Sequence, residues 1–205
     1  MNYQTEQESF WAGEFGDSYT DRNDGDSLLF AKQHSLSKIL SHAVGIQSVL
    51  ELGCNKGLNL RALSSIIPNL TMEAVEINTK AAEECRQIPN VTVHNQSIYD
   101  YAIREATFDL TFTSGVLIHI APDRLKTVYE ILYRSSKRYV LVSEYYNPTP
   151  VEVVYRGNEG KLFKRDFAGE MMDMYPDLKL IDYGFVYHRD NYFPADDTTW
   201  FLMEK

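Results

Sequence analysis

Seven residues in the first third of the chain have the types and spacing to hold a ligand. Glu51-Leu52-Gly53-Cys54-Asn55-Lys56-Gly57 directly follows a short apolar run, Ser48–Leu52, and opens a stretch of helical period. Two glycines let a backbone turn sharply and let a ligand come close to it. A nicotinamide dinucleotide site would show G-x-G-x-x-G here, because a diphosphate seeks bare helix N–H groups. This chain shows G-x-x-x-G behind an acid. A carboxylate at Glu51 repels a diphosphate but suits an amine or a sulfonium. Glu76 stands 19 residues after Gly57, where a carboxylate can accept from both hydroxyls of an adenosine ribose.

Other residues could act on a second ligand. His119 follows an apolar run, where it could serve as general base or orient an acceptor; loop packing is the competing reading. Glu144-Tyr145-Tyr146-Asn147 puts a carboxylate, two phenols and an amide after another such run. Arg156, Lys161, Lys164 and Arg165 lie within ten residues of one another. Arginine forks bind carboxylates and phosphates, which points to an anionic substrate; pairing with Glu159, Asp166 and Glu170 is the plainer alternative. His188 opens a loop long enough to be functional. The five histidines, 34, 42, 94, 119 and 188, form no H-x-x-x-H pair and have no Cys at ligand spacing, so no metal is expected.

These residues need elements to position them, and the middle of the chain supplies an alternating set. Strands are expected at 48–52, 71–77, 91–94, 108–113 and 138–144. Helices are expected at 58–67, 79–87 and 122–135, the last with Pro122 in its first turn and Leu125, Val128, Tyr129 and Leu132 as its stripe. Alternation of this kind implies parallel βαβ crossovers and a sheet covered on both faces. Residues 177–187 and 198–203 read as an antiparallel pair joined by the loop 188–197. Trp11, Phe15, Tyr19 and Arg22 recur at helical spacing, as a lid over the ligand or as buried packing. A strand, E-x-G-x-x-x-G, a helix and a second strand ending in an acid together form an S-adenosylmethionine-binding signature.

The residues that carry a wider resemblance are TEQESFWAGEFGDSYTDRN at 5–23, LELGCNKGLNLRAL at 50–63, FDLTFTSGVLIHIAP at 108–122 and EYYNPTPVEVVYRGNEGKLFKRDFAGE at 144–170. Residues 48–145 resemble a class I S-adenosylmethionine-dependent methyltransferase. The whole chain resembles the pseudaminic acid biosynthesis-associated methylase family, whose first and last blocks are the specific ones. The resemblance implies a Rossmann-like α/β fold, a mostly parallel seven-stranded sheet with an antiparallel C-terminal edge. It implies one domain over 1–205: a helical lid at 1–45, a cofactor core at 46–145, and a substrate loop with closing strands at 146–205. Gly53 and Gly57, with Cys54 and Asn55 between them, would cradle the methionine part, and Glu76 would bind the ribose. Ile77, Ser97 and Ile98 would flank adenine, and Ser114 would line the sulfur end, with Tyr19 or Arg22 near the methionine carboxylate. Many methyltransferases carry Asp where Ser97 stands, so this position departs from the pattern.

Composition narrows the partners. The 205 residues carry 20 Lys and Arg against 29 Asp and Glu, a net charge of −9. An acidic chain repels nucleic acid and anionic membrane surfaces. Two cysteines exclude a disulfide scaffold. No run approaches the ~20 apolar residues of a membrane helix, and the polar start is unlike a signal peptide. A cytoplasmic protein is expected, with oligomeric state left open. The expected reaction is methyl transfer to an oxygen or nitrogen of a small, anionic, sugar-like acceptor tied to surface-glycan biosynthesis, leaving S-adenosylhomocysteine. The candidate bases are His119, Glu144 and His188, in that order. The acceptor would be met by Tyr145, Tyr146, Asn147, Arg156, Lys161 and Arg165. A non-catalytic S-adenosylmethionine-binding partner protein is the alternative. A nicotinamide oxidoreductase and a nucleic-acid methyltransferase fit less well, for want of a third glycine and of a basic arm.

Overall fold

The computed structural model describes residues 3–22 and 26–205. Asn23, which ends the first of the resembling blocks, lies outside the described residues, as do Met1 and Asn2. Seven strands form one sheet in the order β3-β2-β1-β4-β5-β9-β8. The strands are β1 (Ser48–Leu52), β2 (Thr71–Glu76), β3 (Val91–Asn95), β4 (Phe108–Ser114), β5 (Ser136–Glu144), β8 (Lys179–Phe185) and β9 (Thr199–Glu204). The first five are parallel, and β9 runs antiparallel to both β5 and β8. The last strand in the chain therefore lies inside the sheet, and β3 and β8 are its two edges.

Helices cover both faces, as parallel crossovers require. α3 (Asp26–Leu40), α4 (Leu58–Ile66) and α5 (Thr79–Cys85) lie on one side, where Leu36, Leu60, Leu63 and Cys85 pack on Val49, Met72 and Leu141. α6 (Leu125–Ser135) and α7 (Phe167–Met174) lie on the other, with Val128, Tyr129 and Leu132 on Leu50, Val140 and Val142. The strand order reverses between β1 and β4, the place where open α/β sheets leave a crevice at their carboxyl ends.

Three features depart from the sequence reading. The aromatic stripe is not one helix: Gly13 is extended (φ −99°, ψ −158°) and separates α1 (Glu6–Ala12) from α2 (Glu14–Arg22). The rings meet all the same, because α2 folds back on α1, with Trp11 5.4 Å from Phe15 and 5.1 Å from Tyr19. The basic segment after β5 holds a small hairpin, β6 (Val151–Glu152) with β7 (Phe163–Lys164). α7 has no counterpart in the expected elements: at eight residues it is too short for a strong period, and an Asp166 side-chain cap starts it.

Candidate active site

The crevice holds two cavities that share a wall. The smaller, about 140 Å³, is lined by Glu76, Ile77, Ser97 and Ile98 and by Trp11 and Glu8 of α1. The larger, about 480 Å³, is lined by Lys32 of α3 and by Tyr145, Tyr155, Arg156, His188 and Asp196. Tyr19, Gly53, Asn55, Ser114, Gly115 and His119 border both.

The loop after β1 is locked in place. Gly53 has φ +75°, and a Cβ there would lie 2.6 Å from Val116 Cγ2. Its N–H donates to the Val75 carbonyl at 2.8 Å. Glu76 joins this loop to the end of β2: Oε2 accepts from the Asn55 N–H and Oε1 from the Asn78 N–H, both at 2.7 Å. Burial pushes the Glu76 carboxyl up, and those backbone N–H bonds oppose the rise. Gly57 faces α5 rather than either cavity, and a Cβ there would meet Cys85 Sγ at 2.7 Å.

Glu51 lines neither cavity. It is fully buried; Oε1 accepts from Asn59 Nδ2 at 2.6 Å, and Oε2 has no hydrogen-bond partner among the described residues. Burial pushes its carboxyl up to about 8, so it is largely neutral at pH 7. Burial pulls the nearby Lys32 ammonium down, against the attraction of Glu51, Asp196 and Glu144. Lys32 Nζ is 3.4 Å from Ser114 Oγ, at the shared wall. No local motif marks Lys32, because the helix that delivers it precedes the glycine loop.

The three expected bases sit in different surroundings. His119 lies where the cavities meet, 4.5 Å from the Trp11 ring and 5.0 Å from the Tyr155 ring. Its Nδ1 is 2.6 Å from the Lys161 carbonyl. A carbonyl only accepts, so Nδ1 carries the proton and Nε2 keeps a lone pair. Burial pushes this imidazole down to about 4. Glu144 is buried, lines neither cavity, and accepts from the N–H groups of Val116, Leu117 and Ile118 at 3.0, 3.1 and 3.4 Å; burial raises it to about 7. His188 Nδ1 lies 2.9 and 2.8 Å from the two Asp197 carboxylate oxygens.

The expected acceptor contacts divide. Tyr145 and Arg156 line the larger cavity, and burial with the Asp196 carboxylate raises the Tyr145 phenol. Tyr146 is exposed against Phe201, and Asn147 bonds Thr149 O at 2.6 Å. Lys161 pairs with Glu6 at 3.2 Å and Arg165 with Glu170 at 2.7 Å. Arg22 lies over the Phe15 and Tyr19 rings, at the end of α2 and outside both linings.

α1 and α2 close the smaller cavity. Gln7 donates to the Gly160 carbonyl at 2.8 Å, Asn78 to Asp17 at 2.8 Å, and Lys80 pairs with Asp21 at 2.5 Å. Glu8 and Thr5 form a capping box at the start of α1.

The residues present suit S-adenosylmethionine. Gly115 borders both cavities with φ +70°, and a Cβ there would meet nothing within 4 Å. Open space therefore lies beside this backbone, at the wall the two cavities share. Glu76 lines the smaller cavity, and Trp11 Nε1, beside it in that lining, is a buried donor with no partner among the described residues.

Comparison with known proteins agrees. Residues 49–138 match the family described as "Methyltransferase domain". The fold and that matched domain define a class I S-adenosylmethionine-dependent methyltransferase. The chain is similar in structure to the Burkholderia thailandensis 1,6-didemethyltoxoflavin-N1-methyltransferase, solved with 1,6-didemethyltoxoflavin and S-adenosylhomocysteine. That likeness has a TM-score of 0.76 at 15% identity, over 100% of this chain and 91% of that one. It is also similar to the magnesium protoporphyrin IX methyltransferase of Synechocystis, solved with S-adenosylmethionine, with a TM-score of 0.69 at 13% identity over 100% of both chains. No curated protein matches the sequence. Among the described residues no helix is long and apolar enough to cross a membrane.

Proposed function

We propose that the chain, a cytoplasmic enzyme, methylates an oxygen or nitrogen of a small, anionic, sugar-like acceptor held in the larger cavity. The observation that carries this is the shared wall at Ser114, Gly115 and His119, beyond which Arg156 supplies positive charge and Lys32 a buried amine, in a chain of net charge −9. The resemblance to the pseudaminic acid biosynthesis-associated methylases supports a sugar acceptor in glycan synthesis. The Burkholderia enzyme, a 1,6-didemethyltoxoflavin-N1-methyltransferase solved with 1,6-didemethyltoxoflavin, supports a small-molecule acceptor.

In this reading the chain acts as one domain. Residues 46–145 hold the cofactor, the N-terminal helices form the lid, and 146–205 face the acceptor. Glu76 takes the ribose hydroxyls, and Ile77 and Ile98 pack on the adenine. Gly53, Asn55 and Ser114 border the methionine end. Bound S-adenosylmethionine supplies a methyl group already activated for nucleophilic attack. Arg156 and Tyr145 orient the acceptor; orientation of this kind is worth ~7–11 kcal/mol of barrier. His119 Nε2 accepts the hydrogen of the attacking group, and such proton removal contributes about 10²–10⁴-fold. His188, held by Asp197 on the wall of the larger cavity, is the alternative base.

The test is incubation with methyl-labelled S-adenosylmethionine and a panel of nucleotide-activated sugars, sugar acids and small amines. Label is expected in an anionic sugar, and its transfer should fall with Arg156→Ala. Transfer confined to the amines would refute the acceptor class.

A further inference from the structure

The turn after β3 has a hydroxyl, Ser97, at the position where many methyltransferases put a carboxylate. A carboxylate is present there all the same, and it comes from the lid. Glu8 of α1 is 7% exposed and lines the smaller cavity beside Ser97, Ile98 and Tyr99. Its Oε2 is used by the helix cap, accepting from the Gln4 N–H at 2.5 Å and the Thr5 N–H at 2.9 Å. Its Oε1 accepts from Ser97 Oγ. Ser97 Oγ in turn accepts from the Tyr99 N–H at 3.1 Å, so its single proton is committed to Glu8. Among the described residues Oε1 accepts this one hydrogen bond, which leaves it a second lone pair on a side chain that lines the cavity.

We propose that Glu8 reads the adenine, accepting from its exocyclic amine, with Ser97 as the positioning residue that aims Oε1. The proposal rests on the S-adenosylmethionine reading of the smaller cavity. Its physical basis is the strength of a charge-assisted bond: a carboxylate is a better acceptor than the hydroxyl beside it. Base recognition and lid closure are then a single event, since the group that reads the base rides on α1. A cofactor lacking the amine would leave Oε1 half-satisfied and facing a carbonyl.

Glu8→Gln tests this without removing the cap. Glutamine serves equally in a capping box, so its amide oxygen keeps the two backbone N–H bonds. Its amide nitrogen then stands in place of Oε1 and presents a donor to a donor. Binding of S-adenosylhomocysteine and of its 6-oxo analogue S-inosylhomocysteine would be measured by calorimetry, with the melting temperature of each unliganded protein. Wild type is expected to prefer S-adenosylhomocysteine by about 10- to 100-fold, the range of one hydrogen bond to a charged group. Glu8→Gln should lose most of that preference while melting as wild type does. Ser97→Asp alone should bind worse, because it sets two carboxylates side by side. Ser97→Asp with Glu8→Gln should recover the preference. If Glu8→Gln keeps wild-type affinity and preference, or weakens both ligands equally, Glu8 is only a cap and a lid contact. Wild type that binds neither ligand would overturn the cofactor reading, and this proposal with it.

Discussion

Burial holds His119 neutral, and this sets how the enzyme should respond to acid. Its imidazole is pushed down to about 4. The lone pair on Nε2 is therefore available at every pH above about 5. If His119 accepts the acceptor's hydrogen, kcat/KM should stay level from pH 8 down to about 5 and fall only below that. A fall centred near 6.5, the ordinary histidine value, would refute His119 as the acceptor of that hydrogen. Glu144 gives the opposite kind of signal, in stability. Its folded carboxyl is raised to about 7 against 4.5 for the ordinary group. Between those values the folded state holds a proton that the unfolded state has released, so stability falls as pH rises through that window. Wild type should lose on the order of 3 kcal/mol relative to Glu144→Gln between pH 5 and 8, read from melting curves of both proteins.

The helix pair α1 and α2, which closes the smaller cavity, is the element whose fit is most exacting. Gly16 sits where a Cβ would lie 1.8 Å from the Trp11 carbonyl oxygen and 2.9 Å from Asn78 Nδ2. Glycine to alanine inside a helix ordinarily stabilises by about 1 kcal/mol. Gly16→Ala should do the reverse, forcing α2 off α1. Affinity for S-adenosylhomocysteine should drop at least about tenfold, measured by calorimetry, with no rise in melting temperature. The same element shows why the sequence was only partly readable. Gly53 and Glu76 announce themselves because a strand end followed by glycine is a local pattern, and β1 to β5 repeat the period that parallel sheets need. Trp11 and Tyr19 were recognisable as a set, but the break at Gly13 depends on contacts with Asn78 and Gly160 far along the chain. Glu51 reads in sequence as a ligand group at the strand end, yet in the fold it is enclosed with Asn59. Lys32 carries no motif, and Glu8 reads only as the acid of a helix start. They reach the site only because the helices before the sheet pack across its carboxyl end, which no spacing rule encodes.

For the molecule as a whole, ligand and fold should stabilise one another, since the smaller cavity is closed by contacts from α1, α2, the β6–β7 hairpin and α5. A ligand at 100 times its dissociation constant adds ~2.7 kcal/mol, roughly 5–11 °C for a domain of this size. S-adenosylhomocysteine should produce a shift of that order, and Glu76→Ala should abolish it; an unshifted but folded wild type would refute the cofactor assignment. The sheet order carries one more consequence, for the chain as it is made. β8 has a single strand neighbour, β9, which follows it in the chain by 13 residues between Phe185 and Thr199. While a ribosome is still translating that interval, β8 has no partner to pair with. Its aromatic residues Tyr183 and Phe185 then stand beside an unpaired strand edge, the kind of surface that recruits other chains. The cavity wall formed by His188 and Asp196 is equally unfinished at that stage. The parallel half of the sheet can assemble early, whereas the acceptor side waits for Trp200 to slide in between β5 and β8.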